Sequence, residues 1–169
     1  MKEKGWGAYA AGVCFMLRQT GIEPRGMEAL VGGNLPAGIG LSSSAALEVA
    51  VAVAQAHLAS KVLDKLEVAR ICQKAEHEFA GVRCGIMDQF ASLCGVENHL
   101  LQLDCRSLAW STVPIPEHIS IVIADTRIHR SLHAGAYNQS RQDCERAVEL
   151  LQVHMPSIRS LRDVTRADF

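Results

Sequence analysis

The sequence predicts an α+β fold, an α/β arrangement of two layers, and three observations carry that prediction. Trp6, Tyr9, Ala10, Val13, Cys14 and Leu17 recur at steps of three and four, which is the stripe of an amphipathic helix. His99 to Asp104 alternates as a strand does, and Trp110 to Val113 is placed to return as its hairpin partner. Ile119 to Ala124 is a continuous apolar run, the pattern of a strand buried on both faces.

The remaining elements follow in order. Gly21 is placed to stop the first helix, and Met27 to Val31 reads as a short strand delivering a glycine-rich loop. A long helix is expected from about Ser42 to Ser60, with the serines as N-caps. Asp64-x-x-Glu67 resembles a capping box with Asp in place of Ser or Thr, so Lys65 to Phe79 is a second helix, with Gly81 as its terminating residue. The stretch from Gly81 to Phe90 is a glycine-punctuated turn that opens a short helix ending near Gly95. Cys105-Arg106-Ser107 is turn-like, and Pro114 and Pro116 close the hairpin. Polar residues from Asp125 to Gly135 lead into a helix from about Ala136 to Val153, with Tyr137 near its start. Ser157 to Phe169 reads as the beginning of further helices.

Composition narrows the chemistry. A chain of 169 residues with 49% hydrophobic content and a net charge of −1 has enough apolar material for one core of ordinary size. Its 17 basic and 18 acidic side chains show no basic cluster, and aromatics make up 5%, so nucleic-acid binding is not expected. Small-molecule chemistry is. The six cysteines form no Cys-x-x-Cys pair, and Lys2-Glu3-Lys4 is followed by no apolar leader segment, which points to a reduced, cytoplasmic protein with free thiols. No run of about 18 apolar residues would make a membrane span.

The stretch Gly32-Gly33-Asn34-Leu35-Pro36-Ala37-Gly38-Ile39-Gly40-Leu41-Ser42-Ser43-Ser44-Ala45-Ala46 is the feature with most chemical content. Glycines let backbone N–H groups converge from conformations closed to most residues, and the helix behind them offers the positive end of its dipole. Such a place suits a phosphate. It is not a P-loop, because no lysine lies between Lys4 and Lys61, and it is not a dinucleotide fingerprint, because Ser43 stands where a third small hinge residue belongs. On the residues alone, two readings stand together: a glycine turn leading into a core helix, or a phosphate-binding loop.

Other positions carry similar alternatives. Asp88 in the first turn of a helix is either a capping aspartate or a catalytic carboxylate, and Glu76 is either a solvated helix charge or a ligand. His129 and His133 have the i, i+4 spacing of helical metal ligands but lack a third partner of matching spacing. Cys84 beside a helix start has the position of an activated thiol with no base tied to it, and a Gly-x-Ser-x-Gly elbow is absent.

The segment from Pro36 to Ala46 resembles the second motif of the GHMP kinases. Ala75-Glu76-His77, Cys84-Gly85-Ile86-Met87-Asp88-Gln89-Phe90, Leu103-Asp104-Cys105-Arg106-Ser107 and Ala124-Asp125-Thr126 are together similar to the galactokinases within that superfamily. The resemblance implies the ribosomal protein S5 domain 2-like fold and an ATP- and Mg²⁺-dependent kinase that phosphorylates galactose at its C1 hydroxyl. It implies that Pro36, Ala37, Gly38, Ile39, Gly40, Leu41, Ser42, Ser43 and Ser44 wrap the triphosphate and that Ser44 and Glu76 hold Mg²⁺. It implies further that Asp88 approaches the anomeric hydroxyl as general base, or at least as an electrostatic guide for that hydroxyl, and that Gly85 and Tyr137 line the sugar pocket. A mostly monomeric family is implied too, with association of this chain expected through exposed apolar surface.

The departures matter as much. The galactokinase motif Gly-Arg-x-Asn-x-x-Gly-Glu-His-x-Asp, which reads the sugar, has no match in residues 1–35, and the glycine-rich third motif is absent. The chain therefore resembles the middle of a galactokinase. Residues 1–125 are expected to form the N-terminal ATP-binding domain without its leading strands, and residues 126–169 the crossover and first helices of the C-terminal domain. Alone, the chain is expected to be inactive. An N-acetylgalactosamine kinase, another sugar kinase and a non-catalytic nucleotide-binding relative share the central motifs and stand as alternatives.

Overall fold

Helix α1 spans Gly7–Gln19, α2 Ser43–Leu58, α3 Lys65–Ala75, α4 Met87–Cys94 and α5 His133–Gln152, with strands β1 His99–Leu103 and β2 Trp110–Pro114 between α4 and α5. This architecture comes from a computed structural model, which describes residues 5–127 and 133–168. Two compact units divide between residues 130 and 131.

In the first unit the apolar stripe of α1 is used as the sequence predicts. Val13, Met16 and Leu17 pack with Val49, Val51 and Ala52 of α2 and with Val68, Ile71, Cys72 and Ala75 of α3. A second cluster joins Ala69 of α3 to Ile86, Phe90 and Cys94 around α4, with Leu101 and Leu103 of β1 packed against it. Phe90 is fully buried, and removing such a ring from water contributes roughly 1.5–3 kcal/mol. Strands β1 and β2 pair antiparallel, Leu101 opposite Thr112. The turn between them is fixed by Asp104, whose carboxylate accepts from the N–H groups of Arg106 and Ser107, each at 2.9 Å.

The helix ends have local causes. Gly21 adopts φ +83° after α1, and the Ile22 N–H donates to Leu17 O at 3.0 Å, returning the chain so that Ile22 joins the core. Asp64 caps α3 by accepting from the Glu67 N–H at 2.9 Å. Beyond Ala75 the winding loosens into a π turn, Glu76–Ala80, which stops at Gly81 with φ +74°. Phe79 of that turn lies against Phe15, ring centroids 5.3 Å apart, and crowds α1. A Cβ on Gly12 would sit 3.0 Å from Phe79 Cβ. Gly12→Val is therefore expected to lower stability by about 1–3 kcal/mol, although glycine is a poor helix former. An unchanged denaturant midpoint would show that Phe79 yields.

Three sequence expectations are corrected. Met27 to Val31 is not a strand, and Leu30 and Val31 are exposed. Just before it, buried Gln55 of α2 accepts from the Arg25 N–H at 2.8 Å and donates to the Arg25 carbonyl at 3.0 Å, supplying the two bonds that a neighbouring strand would. Ile119 to Ala124 is likewise neither strand nor buried, and Val122 is 87% exposed. Both runs have strand composition, but among the described residues no ladder partner lies beside either, and the sheet has two strands only. Ser42 stands at the N-cap of α2 yet makes no side-chain cap bond. Its left-handed backbone, φ +57°, departs from the extended geometry that aims a cap hydroxyl at the first turn.

In the second unit α5 carries exposed pairs Arg141–Glu145 at 2.9 Å and Arg146–Glu149 at 3.0 Å. The tail folds back when Gln152 donates to the Ile158 carbonyl at 2.8 Å, and Ile158 is buried. Where the tail reads as the beginning of further helices, it forms two short 3₁₀ helices, Leu161–Asp163 and Arg166–Asp168.

Candidate active site

The loop before α2 is built from left-handed positions. Gly38, Gly40 and Ser42 have φ of +79°, +84° and +57°. A Cβ on Gly38 would meet nothing within 4 Å, so glycine is required there for backbone conformation and not for space. Alternate positive φ curls the chain in the manner that lets successive N–H groups face one concavity. Pro36, Ala37, Gly38 and Gly40 are exposed, whereas Ile39 and Leu41 to Ser44 are half-buried. The Ala46 N–H makes the first helical bond, to Ser42 O at 3.0 Å, and among the described residues no side chain caps the N–H groups of Ser43, Ser44 and Ala45 ahead of it. These N–H groups carry the positive end of the α2 dipole.

Ser44, on the first turn of α2, reaches across to the π turn, where its hydroxyl donates to Glu76 Oε1 at 3.1 Å. The other oxygen, Oε2, accepts from Gln89 Nε2 at 3.0 Å and from the Cys84 thiol at 3.2 Å. Gln89 also donates to Glu48 Oε2 at 3.4 Å. Glu48, Glu76 and Gln89 are all buried, so Glu76 is not the solvated helix charge that composition alone allows. Burial first, then the neighbouring Glu76 charge, pushes the Glu48 carboxyl up to about 8 despite the Gln89 hydrogen bond, so that it is neutral at pH 7. The Cys84 thiol is held above its ordinary range by burial and then by Glu76. That is the opposite of an activated nucleophile. Tyr9 of α1 is raised as well, by burial and then by Glu76 and Glu48.

The structure brings Ser44 and Glu76 into direct contact and places Asp88 on the same short helix as Gln89. Asp88 is half-buried in the first turn of α4, one residue inside the helix start and not at its N-cap, which is Ile86, and among the described residues its carboxylate makes no hydrogen bond of the capping kind. Gly85 is exposed in the segment before α4, with nothing within 4 Å of an added Cβ. Tyr137 is on α5 of the second unit and is 48% exposed. His129 lies outside the described residues.

The donor set fits Mg²⁺. This ion takes oxygen ligands at about 2.1 Å in octahedral geometry, so adjacent ligands stand about 3 Å apart, and it commonly uses one or two protein oxygens with phosphate and water. Ser44 Oγ and Glu76 Oε1, 3.1 Å apart, have that spacing. Among the described residues no cluster of three His, Cys, Asp or Glu side chains could hold a metal, so phosphate and water would complete the shell.

Sequence reasoning missed Glu48 as a member of this site. The available signal was a carboxylate inside an otherwise apolar helix, Leu47-Glu48-Val49-Ala50, four residues after Ser44 and so on the same face. All six cysteines are free, as expected, and no helix of the described residues is long and apolar enough to cross a membrane.

With this geometry in place, the chain can be set beside known proteins. The GHMP kinases N terminal domain model matches residues 8–96. A galactokinase of Roseiflexus sp. is 45% identical, the alignment taking in 96% of this chain and 41% of that protein. A galactokinase of Chloroflexus aurantiacus is 41% identical over 99% of this chain and 43% of its own length. The crystal structure of Lactococcus lactis galactokinase complexed with galactose superposes with a TM-score of 0.71 at 28% identity, over 99% of this chain and 44% of that one. The chain thus spans less than half the length of these relatives.

Proposed function

The chain belongs to the GHMP kinases, and from that membership we propose that it is the ATP-handling portion of a galactokinase, transferring the γ-phosphoryl group of ATP to the C1 hydroxyl of galactose. The observation that carries the reading is the Ser44–Glu76 contact at 3.1 Å, set at the N-terminus of α2 directly after a left-handed glycine loop. A loop that offers backbone N–H groups and a pair of hard oxygens beside it together form a site for a metal-bound triphosphate.

In this reading Pro36 to Ser44 enclose the phosphates, and their N–H groups stabilise the negative charge spread over the transferring group. Ser44 and Glu76 hold Mg²⁺, which when bound supplies charge neutralisation on the phosphate oxygens. Asp88 accepts or steers the proton of the attacking sugar hydroxyl. Gly85 and Tyr137 are the sugar-lining positions. Residues 1–125 are assigned to the N-terminal domain and 126–169 to the crossover and the start of the C-terminal domain. The setting is cytoplasmic, in keeping with free thiols. The similarity to a galactokinase complexed with galactose supports galactose as the sugar.

The test is ADP release by the complete enzyme that contains this chain, with galactose and with N-acetylgalactosamine, and with Mg²⁺ present or chelated. Release that needs both galactose and Mg²⁺ is expected. Release indifferent to galactose would overturn the substrate assignment, and release indifferent to chelation would overturn the metal assignment. The 169 residues alone are expected to give no sugar-dependent release, since orientation of the sugar supplies much of such a rate.

A further inference from the structure

We propose that Gln89 is a positioning residue for the cation: with the Cys84 thiol it ties down Oε2 of Glu76, so that Oε1 alone faces Ser44. The inference rests on the Ser44–Glu76 reading above and goes beyond it, to what fixes the ligand's geometry.

A glutamate has two equivalent oxygens and three rotatable bonds, so nothing in the residue itself selects one oxygen for a metal. Here the two oxygens have separate tasks. Oε2 takes two donors, Gln89 Nε2 at 3.0 Å and Cys84 Sγ at 3.2 Å, while among the described residues Oε1 takes only the Ser44 hydroxyl at 3.1 Å. The donors are suited to the purpose because both are uncharged. A lysine in the place of Gln89 would orient the carboxylate equally well but would cancel the charge that attracts the cation.

The orientation of the Gln89 amide is itself dictated by its surroundings. Its N–H group faces two carboxyl groups, Glu76 at 3.0 Å and Glu48 at 3.4 Å, leaving its own Oε1 buried without a partner among the described residues. A flipped amide would set its oxygen against the Glu76 carboxylate at the closer contact and forfeit the donor that Oε2 receives. An unmet acceptor costs about 1–3 kcal/mol, and the arrangement tolerates that cost to keep the donor on Glu76. Gln89 is fully buried, so the bond is shielded from competing water. Because Gln89 lies on α4, the same bonds fix the rotation of that helix, and Asp88 is displaced from Gln89 by about 100° around its axis. One amide thus sets the presentation of the metal ligand and the direction of the carboxylate assigned to the sugar.

The test measures metal binding and not turnover. In the complete protein with a non-hydrolysable ATP analogue, Mn²⁺ affinity is followed by electron paramagnetic resonance for the parent, Gln89→Leu, Cys84→Ala, Cys84→Ser and Glu76→Gln. Gln89→Leu is expected to weaken Mn²⁺ binding roughly 10–100-fold, with the metal-free affinity for the analogue unchanged. Cys84→Ala is expected to weaken it several-fold, and Cys84→Ser, which keeps a donor, to restore it. If Glu76→Gln weakens binding and Gln89→Leu does not, the positioning role falls and the Ser44–Glu76 reading survives. If neither does, the cation is held elsewhere and both fall. Should Gln89→Leu fail to fold, the single-atom Cys84 pair decides, and equal Mn²⁺ affinity for Cys84→Ala, Cys84→Ser and parent overturns the proposal.

Discussion

Asp88→Asn in the complete enzyme is expected to lower galactose-dependent turnover by about a thousandfold while leaving ATP affinity unchanged. A positioned general base contributes typically 10²–10⁴-fold, and asparagine keeps the shape of aspartate but cannot take a proton. The substitution is also structurally mild. Asp88 lies in the first turn of α4, and among the described residues its carboxylate makes no hydrogen bond that the replacement would remove. The decisive measurement is kcat against KM for ATP, with thermal unfolding as control. A kcat within a few-fold of the parent would remove Asp88 from the chemistry. A matching loss of kcat and Tm would return it to the role of a helix-start residue.

The second large effect concerns Glu48. Its carboxyl is raised from an ordinary value of 4.5 to about 8, by burial and then by Glu76. The folded state therefore keeps a proton that the unfolded chain has released. The stabilising contribution of that proton is complete below about pH 4.5 and disappears as pH rises through about 8. Between those limits this group alone lowers stability by as much as about 1.4 kcal/mol per pH unit. Glu48→Gln preserves volume and an acceptor for Gln89 while removing the titration. It is expected to be more stable than the parent by on the order of 2 kcal/mol near neutrality, with the gain increasing towards pH 8 and vanishing near pH 4.5. Denaturant midpoints across that range check it. Parallel pH profiles for parent and variant would mean that Glu48 is ionised in the folded protein.

Much of this was legible in the sequence because the signals were local. The α1 stripe, the Gly21 and Gly81 stops, the Asp64 cap and the β1–β2 hairpin each depend on residues within one turn or one strand. The glycine loop could be seen as a loop, but its occupant could not, since a turn into a core helix has the same composition. That Ser44 and Glu76 meet at all is a contact across 32 positions of sequence, which no periodicity reports. Met27 to Val31 and Ile119 to Ala124 failed for the complementary reason. Strand composition states a preference, whereas a strand exists only where a second backbone takes up its hydrogen bonds. Glu48 was overlooked because a lone charge within Leu, Val and Ala reads as an interruption, and its meaning depends on Gln89 lying opposite.

The Cys84 carbonyl is held by two side chains of the preceding helical segment, Gln73 Nε2 at 3.1 Å and His77 Nε2 at 2.8 Å. The short path from Glu76 to Asp88 is therefore stitched to α3 midway and cannot swing as a loop. Its length acts as a gauge. One residue more or less between Gly81 and Ile86 would be absorbed by turning α4 about its axis, carrying Gln89 out of register with Glu76 and re-aiming Asp88. A residue added in the turn between β1 and β2 would touch neither. Chain length is thus rigidly specified in one short connection of this unit and loosely in another, although both look like ordinary turns.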